Sequence, residues 1–243
     1  MYRTVEISSL TKYYKTKELG LKKFKALNNV SLSVEKGESF GLIGLNGAGK
    51  STLIKLILGV IFPDEGEISV MGNPPGEIAV KRNLSYLPEN PSFYESLNAE
   101  EILNFIGRLR GFSGKNLKKS IREILDKVGL YEHRKKLLRK YSRGMLQRLG
   151  LAQAFIGKPE LVILDEPLNG LDPLGRKMAR DLIIEANKEG STIFFTSHIL
   201  EDIEKICNRV GILHRGELLK IVEAEELQQK PLEDIFLGVI EQQ

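Results

Sequence analysis

From Thr4 to Leu10 polar and apolar residues alternate, which is the period of a half-buried β-strand. Ala26–Val34 and Glu38–Ile43 read as two more strands around the turn Glu35-Lys36-Gly37. Glu67–Met71 reads as a short strand after the turn signal Asp64-Glu65-Gly66. A basic loop, Lys15 to Lys25, is expected between the first two strands, and the spacing becomes helical over Lys50–Val60. Asn98-Ala99-Glu100-Glu101 fits a capping box that opens a helix to about Arg110. Asn116–Val128 is a second helix, closed by Gly129, and a third starts in Tyr141-Ser142-Arg143-Gly144. The pattern then changes. Leu161–Leu164, Thr192–Thr196 and Arg209–Leu213 are apolar runs without alternation, as in parallel strands covered on both faces. Helices Pro173–Lys188 and Ile199–Ile206 separate them, and Pro231–Ile240 is a small closing helix. The pattern predicts an α/β fold with a mainly parallel central sheet, an antiparallel β part and an inserted helical block at about residues 90–157.

Composition narrows the picture. With 42% hydrophobic residues the 243-residue chain can build a sizeable core. Its longest apolar runs, such as Leu53–Phe62, are broken by Lys or Gly, so no membrane span is expected. The opening Met-Tyr-Arg-Thr-Val-Glu-Ile lacks the apolar core of a signal peptide. Cys207 is the sole cysteine, which excludes a disulfide framework and a cysteine metal cluster and suits a reducing cytosol. The net charge of +4 is unevenly placed: Arg108 to Arg143 holds thirteen Lys/Arg against three Asp/Glu. Such a block is either a solvated helical face or a surface turned to anionic lipid headgroups or nucleic acid. A solvated face is the ordinary expectation, and nucleic acid is not expected as a partner.

The chemistry sits at strand ends. Gly44-Leu45-Asn46-Gly47-Ala48-Gly49-Lys50-Ser51 matches G-x-x-x-x-G-K-S/T between a strand and a helix, which is the context the motif needs. Its glycines let backbone N–H groups curl around phosphates. Lys50 supplies positive charge to β and γ phosphates, and the Ser51 hydroxyl suits Mg²⁺, a hard cation that prefers oxygen. Leu161-Val162-Ile163-Leu164-Asp165-Glu166 delivers two carboxylates to a strand end, where open α/β sheets bind ligands. Asp165 can hold Mg²⁺ through its waters, and Glu166 can accept a proton from an attacking water. His198 ends the next strand in Thr196-Ser197-His198, while His133 and His214 read as ordinary surface residues. Ser142 and Gly144 open a helix whose first N–H groups favour an anion.

Ser142-Arg143-Gly144-Met145, followed by a helix and then an Asp-Glu-Pro strand end, resembles the signature of the ATP-binding-cassette (ABC) ATPases, L-S-G-G-Q in its commonest form. The resemblance covers nearly the whole chain, and its motifs are specific as a set. It implies a P-loop NTPase core at 1–89 and 158–220, a helical subdomain with the signature at about 90–157, and a helical tail at 221–243. It implies ATP and Mg²⁺ as cofactors. ATP would be held by Gly44, Asn46, Gly47, Ala48, Gly49, Lys50, Ser51 and Thr52, with Tyr14 stacked on adenine and Tyr13 as competitor. Glu89 falls where the family has the glutamine of its Q-loop, and with Ser51 and Asp165 it would face the metal. Leu171-Asp172 matches the D-loop, and His198 the switch histidine beside the γ-phosphate. In this family the signature faces the phosphate loop of a second subunit, so Ser142 and Gly144 would bind the partner copy's nucleotide. The partners implied are a second copy, joined head to tail around two ATP molecules, and a separate transmembrane permease. The location implied is peripheral, on the inner face of the cell membrane. Leu-Pro-Glu-Asn, Tyr-Ser-Arg-Gly-Met and the closing Leu-Glu-Asp-Ile-Phe resemble ABC-2-type exporters. A soluble ABC ATPase acting on ribosomes or nucleic acid is the alternative. Three departures stand out: Glu89 for Gln, Arg143 for Gly and Met145 for Gln.

Overall fold

The computed structural model describes residues 3–15 and 23–241. Along the chain run β1 (Arg3–Lys15), β2 (Lys23–Glu35), β3 (Ser39–Ile43), α1 (Lys50–Ile57), β4 (Glu65–Val70), α2 (Ile78–Asn83), β5 (Leu84–Leu87), α3 (Ala99–Leu109) and α4 (Gly114–Lys127). Then follow α5 (Arg143–Phe155), β6 (Leu161–Asp165), α6 (Pro173–Lys188), β7 (Thr192–Thr196), α7 (Leu200–Ile206), β8 (Arg209–His214), β9 (Glu217–Val222), α8 (Ala224–Gln229) and α9 (Leu232–Ile240). The fold is α/β, with parallel strand pairing beside an antiparallel sheet, as the pattern predicts. Contacts divide the chain into two units, 1–81 with 194–243, and 82–193.

In the first unit β1 pairs antiparallel with both β2 and β4, in the order β2-β1-β4. Val5, Ile7 and Leu10 are buried on β1, and Leu27, Val30, Leu32 and Val34 on β2. The strands run past the expected Leu10 and Ala26. β1 continues through Tyr14 to Lys15, and β2 already begins at Lys23, with register shifts along β1. The basic loop is therefore strand at both ends, and residues 16–22 lie outside the described residues. A second set of strands in this unit runs β7-β3-β8-β9, where β7 enters through Phe194–Thr196. β3 pairs parallel with β8, and all five β3 residues are buried. The rings of Phe40 and Phe194 stack with centroids 5.8 Å apart. β8 and β9 form an antiparallel hairpin across Arg215 and Gly216, both with positive φ (46° and 85°), the backbone a two-residue hairpin turn requires. At the other end of β8, Arg209 pairs with Glu38 (3.0 Å) and Glu223 (2.9 Å), and burial raises the Glu38 carboxyl above its ordinary range.

In the second unit β5 pairs parallel with β6, with Leu84 opposite Leu161 and Leu87 opposite Leu164. β6 is followed in strand order by β7, which enters through Thr192 and Ile193. α3 starts with the expected capping box: Asn98 accepts from the Glu101 N–H, and the Glu101 carboxylate accepts from the Asn98 N–H. α6 spans the expected residues. Asp172 caps it by accepting from the Gly175 N–H (2.6 Å), and Pro173 stands where no donor is needed. α4 buries Leu117, Ile121, Ile124 and Leu125 and leaves its basic positions outward. The partly buried Arg110 guanidinium donates to Ser85 Oγ (2.8 Å) and to the Ile156 carbonyl, tying the end of α3 to β5 and to the end of α5. Among the described residues no helix is long and apolar enough to cross a membrane.

Candidate nucleotide site

The glycine-rich loop joins the end of buried β3 to the start of α1. Two glycines are required by space. A Cβ on residue 44 would stand 2.3 Å from the Leu213 carbonyl oxygen, and one on residue 49 would stand 2.8 Å from the Ala26 carbonyl oxygen. Gly49 caps α1 at φ 112°, a conformation side chains disfavour. The loop is braced from below: Ala48 accepts from the Gly216 N–H (2.9 Å), and Gly216 accepts from the Asn28 N–H (2.8 Å). The Lys50 ammonium folds over the loop and donates to the carbonyls of Gly44 (2.5 Å) and Leu45 (3.4 Å). Asn46, Gly47 and Ser51 are exposed, so an incoming anion can reach the loop amides, the Lys50 charge and the Ser51 hydroxyl together.

Three further sequence-derived residues of the first unit have definite places. Tyr14 lies opposite Phe24 on the β1–β2 ribbon, and Tyr13 lies opposite Lys25. The Tyr13 ring carries the ammonium groups of Lys23 and Lys25 at 5.6 and 5.7 Å, so that face is already covered. Tyr14, half-buried next to the exposed Phe24, is the less committed ring. His198 is exposed at the end of β7, after the buried Ser197, whose Oγ accepts from the Ile199 N–H.

The second unit carries the acids. β6 is buried from Leu161 to Leu164 and surfaces at Asp165. Glu166 follows at φ 50°, left-handed for a side chain with a Cβ, and its carbonyl accepts from Asn169 N. Such strain costs about 1–3 kcal/mol and collects at functional sites. Tyr86, on neighbouring β5, hydrogen-bonds Asp165. Burial, then the Asp165 and Glu89 carboxylates, push its phenol up to about 12. Glu89 itself is exposed.

α5 begins as its sequence predicts. Ser142 caps it, accepting from the Met145 N–H (3.2 Å), and both Ser142 and Arg143 are exposed. Arg143 is not simply solvated. It donates to Asn90 Oδ1 (3.2 Å) and lies against Gly170, where an added Cβ would meet its Nε at 3.2 Å. One turn along, Gln147 is only 3% exposed, and its Nε2 donates to the Pro167 carbonyl (2.9 Å). That bond fixes α5 to the segment immediately after Glu166.

Tyr86 and Gln147 were not among the expected site residues. A signal for Gln147 does exist: a lone amide at helical spacing from the buried Leu151 and Ala154 must find a buried partner. Tyr86 gives no comparable sign, because its partner Asp165 lies on another strand.

A glycine-rich loop between a buried strand and a helix, with an acidic pair at the end of a second buried strand, defines the P-loop nucleotide-binding class of α/β folds. Within that class the chain belongs to the ABC transporter family, whose model matches residues 27–169. It is 48% identical over 217 residues to an uncharacterized ABC transporter ATP-binding protein of Synechocystis, sll0415, which covers 88% of this chain and 61% of the relative. The chain thus spans about three fifths of that relative's length. It is 40% identical over 233 residues to the bacitracin transport ATP-binding protein BcrA of Bacillus licheniformis (95% of this chain, 73% of the relative). A solved ATP-binding subunit of an ABC transporter superposes with a TM-score of 0.88 at 31% identity, covering 98% of this chain and 99% of that one.

Proposed function

We propose that this chain is the ATP-binding and ATP-hydrolysing subunit of a membrane transporter, and that two copies close head to tail around two ATP molecules. The observation that carries the proposal is the pairing, on one chain, of one braced phosphate loop with one exposed, serine-capped helix start. Lys50 and the amides of Gly44, Asn46, Gly47, Ala48 and Gly49 hold the phosphates, with Thr52 beside them at the head of α1. Lys50 then exchanges its carbonyl partners for phosphate oxygens, a stronger charge-assisted contact. Tyr14 stacks on adenine. Ser142 and the Gly144 amide take the γ-phosphate held by the other copy.

The residues fit Mg²⁺. Ser51 and Asp165 offer oxygen only, and Asp165 is held in place by the Tyr86 hydrogen bond. Among the described residues no cluster of three or more His, Cys, Asp or Glu side chains exists to cage a metal. Ser51 and Asp165 would hold the cation, if it binds, through oxygen, the ligand type Mg²⁺ prefers. When bound, the cation neutralises charge developing on the phosphate oxygens. Glu89 adds a carboxylate on that side. Glu166, directly after Asp165 at the end of β6, takes the proton of the attacking water. His198 contacts the γ-phosphate.

Transport requires a separate permease, which places this chain peripherally on the cytoplasmic face of a membrane. Its similarity to a bacitracin transport ATP-binding protein supports a role in transport, and the resemblance of its motifs to ABC-2-type exporters favours export. Glu166→Gln tests the scheme. It keeps the side chain's size and removes the proton acceptor, so ATP should bind and stay uncleaved. By light scattering the variant should be monomeric alone or with ADP and dimeric with Mg-ATP. Turnover at the wild-type rate would show that Glu166 is not the base.

A further inference from the structure

The second unit has a basic surface that the nucleotide chemistry does not use. On α4 the outward positions Lys115, Lys118, Lys119 and Arg122 recur at helical spacing, so four cations share one face opposite the buried Leu117, Ile121, Ile124 and Leu125. The face does not stop at the helix. The Tyr131 ring carries the Arg122 guanidinium at 5.1 Å and that of Arg134 at 4.0 Å, which joins α4 to the segment 134–140. Lys135, Lys136, Arg139 and Lys140 are exposed there. Lys135 lines one depression with Phe105 and Arg108 of α3, which Glu100 and Glu101 also line. On α3, Phe105 and Leu109 stand one turn apart and are 60% and 65% exposed.

Pairing leaves most of this charge available. Lys119 and Arg122 face Glu123 and Asp126 at 3.7 and 3.8 Å, in exposed contacts of little worth. Arg134 faces Glu100 at 3.7 Å. Lys115, Lys118, Lys135, Lys136, Arg139 and Lys140 form no ion pair among the described residues.

We propose that this face, formed by the outer side of α4, residues 134–140 and the Phe105–Leu109 edge of α3, docks on an anionic phospholipid surface. Clustered exposed cations beside an exposed aromatic–aliphatic pair are what the headgroup–acyl boundary accepts: charge meets the lipid phosphates, and the apolar pair enters the boundary. Nucleic acid fits less well. The ring set among the cations, Tyr131, is already engaged by two guanidinium groups, and the exposed ring Phe105 stands at the edge of the face beside Leu109 rather than among the cations. The proposal does not depend on ATP hydrolysis or on a permease, since the purified chain alone should bind lipid.

The test is flotation of the full chain with vesicles of phosphatidylcholine, with and without phosphatidylglycerol, across a salt series. Flotation should need phosphatidylglycerol and should fall as salt rises. Lys115→Glu, Lys118→Glu and Lys136→Glu together should lower partitioning on the order of a hundredfold, at roughly fivefold or more per cation. The neutral set, the same three positions changed to Gln, serves if charge reversal harms folding. Phe105→Ser with Leu109→Ser should weaken binding while leaving its salt dependence in place. Binding of fluorescent ATP should be unchanged in every variant, which separates this proposal from the nucleotide site. The proposal is overturned if the wild type ignores phosphatidylglycerol, or if both lysine sets float like the wild type. Tighter binding to polyuridylate than to the anionic vesicles at matched salt would overturn it as well.

Discussion

Replacing Gln147 by Met keeps a long side chain at a buried position and removes its amide. The wild-type amide donates to the Pro167 carbonyl at 2.9 Å with the residue 3% exposed, so water does not readily replace it. Loss of such a bond costs about 1 kcal/mol net, and a carbonyl left without a donor costs about 1–3 kcal/mol. The added apolar surface of Met offsets part of this, at about 25 cal/mol per Å². We expect a net destabilisation of about 1–2 kcal/mol, and thus a fall in Tm of about 2–8 °C for a chain of this size. Calorimetry or thermal circular dichroism reads it directly. Gln147→Glu separates the bond from the shape. It is nearly isosteric, but when ionised it sets an acceptor against an acceptor inside the protein, so it should be worse than Met. Turnover should fall more than ATP affinity in both variants, because the bond ties the signature helix to the segment after Glu166 rather than to the phosphate loop. Equal Tm for wild type, Met and Glu would show that this contact is not holding the two segments together.

Lys50→Ala removes the charge that would pair with phosphate and should abolish turnover and most ATP affinity, measured by coupled assay and by fluorescent-nucleotide titration; normal hydrolysis would refute the phosphate-loop assignment. Ser142→Arg should leave ATP affinity of the monomer near wild type and eliminate turnover; an equal fall in both would mean that Ser142 touches its own chain's nucleotide. The Tyr86 phenol loses its proton at about 12 in the folded chain, against 10.0 ordinarily, so the stability it contributes is present below pH 10 and lost as pH rises through 12. Tyr86→Phe should therefore flatten the alkaline loss of stability in that window, and urea titrations of both proteins at several pH values would reveal a missing difference.

Much of the fold was legible because it was written locally. α6 announced both ends through Asp172, Pro173 and the closing Lys188, and α3 did so through Asn98 and Glu101. The phosphate loop is contiguous, so its motif is legible in one stretch, although the supports beneath it, Leu213 and Gly216, are distant in sequence. What escaped depends on distant partners. β5 is four residues long and is a strand only because β6 lies beside it. β9 follows Arg215-Gly216, where arginine occupies a position that usually declares itself with Asn, Asp or Gly, and its run Leu218-Leu219 breaks the alternation. The helices α2 and α8 are six residues each, too short to show a helical period in the sequence. The outer end of the β1–β2 ribbon reads as part of the basic loop Lys15 to Lys25 because Lys15, Lys23 and Lys25 dominate it. Cross-strand pairing and the two ammonium groups over Tyr13 hold it extended. Arg143 shows in the sequence only as a departure from the signature glycine; its reach to Asn90 and Gly170 depends on partners distant along the chain.

The brace beneath the phosphate loop has a consequence for the order in which the protein matures. Gly44 is shaped by the Leu213 carbonyl, and Ala48 is tied to Gly216, at the tip of the β8–β9 hairpin. Both supports come from the far end of the chain. A ribosome that has translated as far as α7 has already released the entire glycine-rich stretch, yet neither support exists. The loop must wait as an unbraced segment while more than half of the chain is made and the closing strands arrive, a long-range pairing of the slow kind. Nucleotide binding is therefore expected only after the β8–β9 hairpin has been made, so a chain that stops before Arg209 should not bind ATP.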